Sequence, residues 1–455
     1  MTSRRSRIEA KDVIATSVVL SSVAIELALR ELYYHLSAEL PRMLLLTLVW
    51  IAVLLALVVV GRRVDPARHL LAGRLAVFIA LALWFDLVGD VVVAWLASVF
   101  DGHHTMVHSA VFVLFVVGAW YALDAPDKRW SAWRRALAAI TFLFVASQPV
   151  IAAITAPTVS WPQAHKGTSG GRDVTVFLLL DELNASAAGP VVDALAKAGR
   201  GVTMKSLLPV GDATAKVVPA MFSGRRFPDA KPCGLDTVCS GAQVLDFSKV
   251  VASRPDVDVV GFYEPYCAIR GLRSCVQLAP SSPALEGERW WCAALRRSAW
   301  LSQRAGSETD HRCAELGGRT WARMVSDVEQ AIERAPVWRE GGFLYAHVPL
   351  PHPPGEGHGS LVTHYAYNLE RAVHLVDRIA ARAAREPERR YTIVVFSDHP
   401  LRSSVWCASN QYRHNGCPLP AELVDDKVPL IVAGEVPKAF HTITENKDVF
   451  RLADR

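Results

Sequence analysis

Residues 1–158 contain no cysteine; all eight cysteines of the 455-residue chain lie between 233 and 417. The same N-terminal stretch lacks charge over long runs. Residues 43–60 and 136–156 carry none, residues 106–123 carry one histidine, and residues 13–29 are apolar apart from Glu26. Residues 75–99 are apolar apart from Asp86 and Asp90. A helix needs roughly 20 apolar residues to cross the hydrocarbon of a bilayer, so five spans are expected. Repetition of the apolar segments argues against a single cleaved signal peptide. The cysteines show no CxxC…CxxC spacing, which disfavours a zinc ribbon. "GGRD" and "GEGHG" match no phosphate-cradling loop and read as linker and loop.

Basic residues orient the expected spans. Arg4, Arg5, Arg7 and Lys11 precede the first; Arg62, Arg63, Arg68 and Arg74 follow the second; Lys128, Arg129, Arg134 and Arg135 follow the fourth. The loop after the third, "FDGHH", has no Lys or Arg, and the loop after the first has only Arg30 and Arg42. The positive-inside rule then places the N-terminus in the cytoplasm and everything after residue 158 outside it. The net charge of +5 mostly reflects these loops and gives no argument for nucleic acid. Eight cysteines in an oxidising compartment read as disulfides. Near neighbours suggest Cys233–Cys239, Cys267–Cys275, Cys292–Cys313 and Cys407–Cys417, among roughly 105 connectivities. Asp86, Asp90 and Glu26 receive no role.

The expected organisation is a transmembrane domain over 1–158, a linker over 159–172 and an extracytoplasmic domain over 173–455. In that domain, strand-like runs at 174–180, 257–262, 342–347, 391–396 and 428–432 alternate with helical patterns at 190–199, 320–335 and 366–385. Such alternation predicts an α/β domain with a mostly parallel sheet covered by helices, with ligand sites at the C-terminal ends of the strands.

Three of those strands end in metal-binding side-chain types. "VTVFLLL" runs into Asp181 and Glu182, "GFLYAH" into a loop with His352, and "YTIVVF" into Asp398 and His399. Singly, a loop acid or histidine is usually just solvated. Carboxylates and imidazoles gathered at one sheet edge suit a divalent ion, Zn²⁺ or similar. His347 lies inside its strand and reads as a packed core histidine. Thr214 precedes a helical pattern beginning at Ala215, where a capping role is the ordinary one. A helix N-terminus also attracts phosphate, so both roles are compatible. Lys216 reads as a surface lysine.

These residues carry a resemblance. The outer domain resembles the alkaline phosphatase/sulfatase superfamily, and within it the membrane-anchored branch of lipid A phosphoethanolamine transferases and lipoteichoic acid synthases. "DATAKVVPAMFSG" resembles the transferase segment that carries the threonine nucleophile and puts Thr214 in that place. The resemblance implies metal ligation by Glu182, with Asp181 as alternative or addition, and by Asp398 and His399 of the Ser-Asp-His run. Thr214 would take a further position on the ion. His352, and His414 of "YRHNG", match histidines that bind substrate or a second metal. "DDKVPLIVAG" is similar to the strand that closes the family's core. The family's glycine after Ser-Asp-His is Pro400 here, Cys407 and Cys417 flank His414, and the transferases' cysteines around the nucleophile are missing.

The resemblance implies a phosphotransferase of the cell envelope, in the inner membrane with its catalytic domain in the periplasm or outside the cell. It would use one or two Zn²⁺, with Mn²⁺ or another divalent ion as alternatives. Its donor would be a phospholipid giving phosphoethanolamine or phosphoglycerol, and its acceptor a glycolipid or polysaccharide. A membrane-anchored phosphodiesterase or sulfatase-like hydrolase is an alternative. A formylglycine sulfatase is disfavoured, because "TAKVVPAMF" lacks the Cys/Ser-x-Pro-x-Arg context. A non-catalytic protein that kept the fold is a third reading.

Overall fold

The computed structural model describes residues 157–162, 173–197, 199, 201–232, 236–278, 307–354, 359–408, 412, 417, 419–420 and 423–453. The chain divides into two units, Met1–Ile151 and Ala152–Arg455, and the description concerns the second. The five expected spans lie outside the described residues. Among the described residues no helix is long and apolar enough to cross a membrane.

The strands are β1 (Val159–Trp161), β2 (Val174–Leu180), β3 (Val202–Leu207), β4 (Lys231–Pro232), β5 (Thr237–Ser240), β6 (Gln243–Asp246), β7 (Val250–Ala252), β8 (Val257–Phe262), β9 (Ser274–Leu278), β10 (Gly342–Val348), β11 (Tyr391–Phe396) and β12 (Val428–Gly434). The described helices are α1 (Gly189–Ala196), α2 (Thr214–Ser223), α3 (Ser307–Arg334), α4 (Val337–Glu340), α5 (Leu361–Arg385) and α6 (Ser403–Ala408). Seven strands form the central sheet in the order β3-β12-β11-β2-β10-β8-β9. β11, β2, β10, β8 and β9 run parallel, whereas β12 is antiparallel to both its neighbours. The mostly parallel α/β sheet expected from the sequence is therefore present. Its middle strands read as nearly unbroken apolar runs because both faces are covered.

The two faces differ. On one, Val174, Val176, Leu178 and Leu180 of β2 join Leu344, Ala346 and Val348 of β10 and Ile393 and Val395 of β11 in an aliphatic core. α5 covers this face with Ala372, Leu375, Val376, Ile379, Ala380 and Ala383, the three-and-four spacing of a buried helical stripe. Its N-terminus is capped by Ser360, whose hydroxyl accepts from the Thr363 amide. On the other face Phe177, Tyr345 and Phe396 meet Phe450, Phe343 packs on Phe177, and Phe222 of α2 packs against Tyr345 and Phe450.

Part of the expected linker belongs to this domain. Residues 159–161 form β1, paired in parallel with β7, and residues 163–172 lie outside the described residues. Trp161 is buried against Phe222, Phe343, Tyr345 and Phe450. An indole brings more apolar area to a core than any other side chain, which explains why this short segment is held. Two of the suggested disulfides, Cys267–Cys275 and Cys407–Cys417, are present. Cys239 is disulfide-bonded as well. Cys233 and Cys292 lie outside the described residues.

Candidate functional site

The register of the parallel strands brings the polar strand ends together. Leu179 of β2 stands between His347 of β10 and Phe396 of β11. Two residues on along β2 and β11 come Asp181 and Asp398, so with the alternation of a strand all three polar groups emerge on the aromatic face. One ligand atom each from Asp181, His347 and Asp398 lies within 4.8 Å of the others, and all three residues are buried. Asp181 Oδ1 and His347 Nε2 have no hydrogen-bond partner. Unpaired buried polar atoms are costly, and two carboxylates beside an imidazole suit a divalent cation by donor type. This group can hold a metal ion.

α2 delivers Thr214 to the same place. The helix starts at Thr214 itself; Ala213 is the extended residue before it, and no side chain caps that end. The expected cap is therefore replaced by another contact: Thr214 Oγ1 donates to Asp398 Oδ2 at 2.7 Å and lies 3.3 Å from His399 Nε2. Asp398 Oδ1 accepts from the His399 amide at 2.8 Å and from the Glu182 amide at 3.3 Å. His399 Nε2 is 3.7 Å from Asp181 Oδ1 and 3.3 Å from Asp398 Oδ2.

Glu182 is wholly buried, in the left-handed backbone region with φ of 62°. A non-glycine residue there is uncommon and marks a site held by its surroundings. Those surroundings are on hand. Arg402 Nε donates to Oε1 at 2.6 Å, Trp406 Nε1 donates to Oε2 at 2.8 Å, and Tyr365 donates to the Glu182 carbonyl at 3.0 Å. His399 Nδ1 lies 4.0 Å from Oε1.

Two buried asparagines fasten the loops. Asn184 Oδ1 accepts from the Leu401 amide at 2.6 Å, and its Nδ2 donates to the Leu423 carbonyl at 2.7 Å. Asn446 Oδ1 accepts from the Val210 amide at 3.1 Å while its Nδ2 donates to the carbonyls of Ser397 and Asp398. Asn446 thus ties the Ser-Asp-His turn to the segment that leads into Thr214.

The acids split electrostatically. Burial, then the neighbouring Asp398 and Glu182, pushes the Asp181 carboxyl well above the usual range. Burial also raises Glu182, against the opposing pull of His399 and Arg402. Burial acts the same way on Asp398, but His399, His347 and the Thr214 hydroxyl outweigh it and leave this acid lowered. One proton shared among crowded carboxylates is the expected behaviour of like charges a few ångströms apart. Burial lowers His347 to about 4, so this imidazole is neutral at physiological pH.

Of the residues singled out in the sequence, Asp181, Glu182, Thr214, Asp398 and His399 are brought together. His352 lies in an aromatic slot beside them, stacked on Trp321 at 4.8 Å and edge-on at 5.0 Å to Trp406, the donor to Glu182, and its Nδ1 has no partner. His414 lies outside the described residues. Lys216 pairs with Asp212 at 2.8 Å on the surface. His347, expected to be a packed core histidine, is buried, with Nδ1 beside the Tyr266 hydroxyl, Nε2 without a partner and one ring nitrogen within 4.8 Å of ligand atoms of Asp181 and Asp398. Its position in the same parity as Tyr345 and Phe343 was the sequence signal for that face. Arg402, Trp406 and Asn446 left no comparable signal, because their roles depend on contacts between distant loops.

No family model and no curated protein sequence matches the chain. Similar solved structures include the integral membrane lipooligosaccharide phosphoethanolamine transferase A of Neisseria meningitidis. It is 10% identical, the match covers 96% of this chain and 94% of that one, and the TM-score is 0.36. The C-terminal periplasmic domain of phosphoethanolamine transferase EptC from Campylobacter jejuni is 11% identical, with 65% and 91% covered and a TM-score of 0.35. A protein of the alkaline phosphatase superfamily from Vibrio parahaemolyticus is 12% identical, with 65% and 67% covered and a TM-score of 0.28. These match the superfamily that the sequence resembles. At such identities and TM-scores they are likenesses, and the chemistry below rests on this chain's own residues.

Proposed function

We propose that this chain is a metal-dependent phosphotransferase of the cell envelope, anchored by its N-terminal region in the membrane. It takes a phospholipid head group, phosphoethanolamine or phosphoglycerol, onto Thr214 and passes it to a glycolipid or polysaccharide. The observation that carries this reading is the Thr214 hydroxyl, bonded to Asp398 at the mouth of the Asp181, His347 and Asp398 group.

A threonine hydroxyl is a weak nucleophile until a base or an ion takes over its proton. Asp398 Oδ2 already accepts that proton's hydrogen bond, and its lowered pKa keeps it ionised for the task. His399 Nε2 flanks the same oxygen and restricts its direction. Asp181, His347 and Asp398 would hold the cation, with His399 at the edge of the set. When bound, such an ion neutralises charge on phosphoryl oxygens and favours an ionised threonine oxygen. Thr214 Oγ forms a bond to phosphorus as the bond from phosphorus to the diacylglycerol oxygen breaks, and that oxygen leaves with the proton that Asp398 took from Thr214. The acceptor hydroxyl then repeats the displacement in reverse. α2 begins at Thr214, and the N-terminus of a helix favours phosphate charge beside it. Glu182 is held by Arg402 and Trp406, and His399 Nδ1 lies 3.1 Å from the Pro400 carbonyl, which orients the ring.

The test uses the whole chain purified in detergent. Bound metal is quantified, and the protein is incubated with head-group-labelled phospholipids. A head-group phosphate on Thr214 by mass spectrometry, absent from Thr214→Ala, is the expected result. An adduct discharged to water regardless of acceptor would turn the reading to a hydrolase. No adduct with either ethanolamine or glycerol lipids would sink it.

A further inference from the structure

The mechanism above leaves one buried polar cluster unused. Tyr266 follows β8 in a tight turn in which the Glu264 amide donates to the Phe262 carbonyl and the Tyr266 amide to the Glu264 carbonyl. Its hydroxyl lies 2.9 Å from His347 Nδ1 and 3.2 Å from the Tyr345 hydroxyl, and all three side chains are buried. The ring is seated against Gly261, where any Cβ would come within 2.4 Å of a Tyr266 ring carbon. The turn therefore fixes where this hydroxyl stands, on Nδ1 of the imidazole whose other nitrogen, Nε2, is buried beside the acids without a partner.

We infer that Tyr266 decides which nitrogen of His347 carries the proton, and so makes Nε2 the lone pair presented to a cation between Asp181 and Asp398. The inference rests on the reading of these three residues as a cation site. A neutral imidazole has one N–H. With the proton on Nε2, a donor points at the carboxylates and no cation can be ligated there. With the proton on Nδ1, the Tyr266 oxygen accepts it, Tyr266 donates onward to Tyr345, and Nε2 is free to bind. A ligating histidine ordinarily donates its second N–H to a fixed acceptor in this way. Phenylalanine at 266 would fill the same space and remove the hydroxyl from Nδ1, leaving the Phe262 backbone as the imidazole's remaining partner, so Tyr266 is a positioning residue for the ion.

The full chain, purified in detergent, is titrated with zinc against a chromophoric chelator. Tyr266→Phe is expected to weaken zinc binding about 10- to 100-fold, Tyr345→Phe to weaken it less, and His347→Ala at least as much as Tyr266→Phe. Thermal unfolding of each variant checks that it is folded. If His347→Ala weakens binding and folded Tyr266→Phe does not, the inference is overturned and the cation site stands. If His347→Ala binds zinc as tightly as the parent, the cation reading of this group falls and takes the inference with it. Should Tyr266→Phe fail to fold, the ¹⁵N spectrum of His347 in the metal-free parent decides. Protonation on Nδ1 supports the inference, and protonation on Nε2 overturns it.

Discussion

The two faces of the central sheet are built from the same strands and do different work. One is lined with Val, Leu, Ile and Ala and sealed by the long stripe of α5. The other is lined with Phe, Tyr and Trp and opens at its C-terminal edge onto Asp181, His347 and Asp398. Aliphatic side chains pack to crystal-like density and need no particular orientation toward polar groups. Rings of tyrosine, tryptophan and histidine join an apolar body to a polar tip, so they can hand a rigid core over to hydrogen-bonded chemistry within one residue length. Tyr345, Tyr266 and His347 show that handover: ring against ring below, hydroxyl against imidazole above.

The comparison can be broken most sharply at Thr214. Thr214→Ala removes a hydroxyl on the aromatic side without touching the aliphatic core. Phosphotransfer should fall by roughly three orders of magnitude or more while the unfolding midpoint stays close to the parent's. A steady-state transfer assay beside a thermal melt reads both. A large loss of stability with retained transfer would contradict the assignment.

Truncation of one large residue on each face comes next. Trp161→Ala is expected to cost about 3–5 kcal/mol and Leu178→Ala about 2–5 kcal/mol in denaturant unfolding. The two should differ in function. Trp161 stacks on Phe222 of the helix that carries Thr214, whereas Leu178 faces α5. Under conditions where both variants remain folded, Trp161→Ala should lose transfer activity and Leu178→Ala should keep it. Equal activity in both would show that the aromatic face does not position Thr214.

A smaller effect is expected at Arg402. Its guanidinium is the cationic partner of the buried Glu182 carboxylate, but about a quarter of the side chain is exposed. Arg402→Gln keeps a donor and removes the charge, so it should destabilise by about 1–3 kcal/mol. Arg402→Gln paired with Glu182→Gln should recover part of that loss. A double-mutant cycle on unfolding free energies gives the coupling directly.

The smallest effect is on pH dependence, away from both faces. Burial, then Asp246, pushes the Asp236 carboxyl up to about 6. An acid raised in the folded state binds more protons there than in the unfolded chain between its ordinary value and about 6. Stability should therefore be greatest below pH 4 with respect to this group and decline as pH rises through 6. Melts across that window should show the slope in the parent and a shallower one in Asp236→Asn.

Much of the fold was legible in the chain. The strand-like runs at 174–180, 257–262, 342–347, 391–396 and 428–432 fall on β2, β8, β10, β11 and β12, since runs buried on both faces have few other ways to be satisfied. Edge and accessory strands such as β3 and β9 were not, because their half-exposed residues carry no clear alternation. Asp181, Asp398 and His399 stood out because each follows such a run. His347 is buried inside its strand as expected, since a histidine inside an apolar run has the composition of core. Only the face it shares with Asp181 gives it a different meaning.

The sequence by itself determined which strands end in ligand-type side chains and which residues of each strand share a face, since alternation is a property of a single strand. The tertiary structure alone decided that Leu179 stands level with both His347 and Phe396, which sets three polar groups from separate strands around one point. It also decided that Glu182 is held by Arg402 and Trp406, and that the Thr214 hydroxyl turns to Asp398 instead of capping its helix. Register and loop contacts join residues more than 160 positions apart, as the Glu182–Trp406 separation of 224 shows, and no local pattern encodes a distance of that kind.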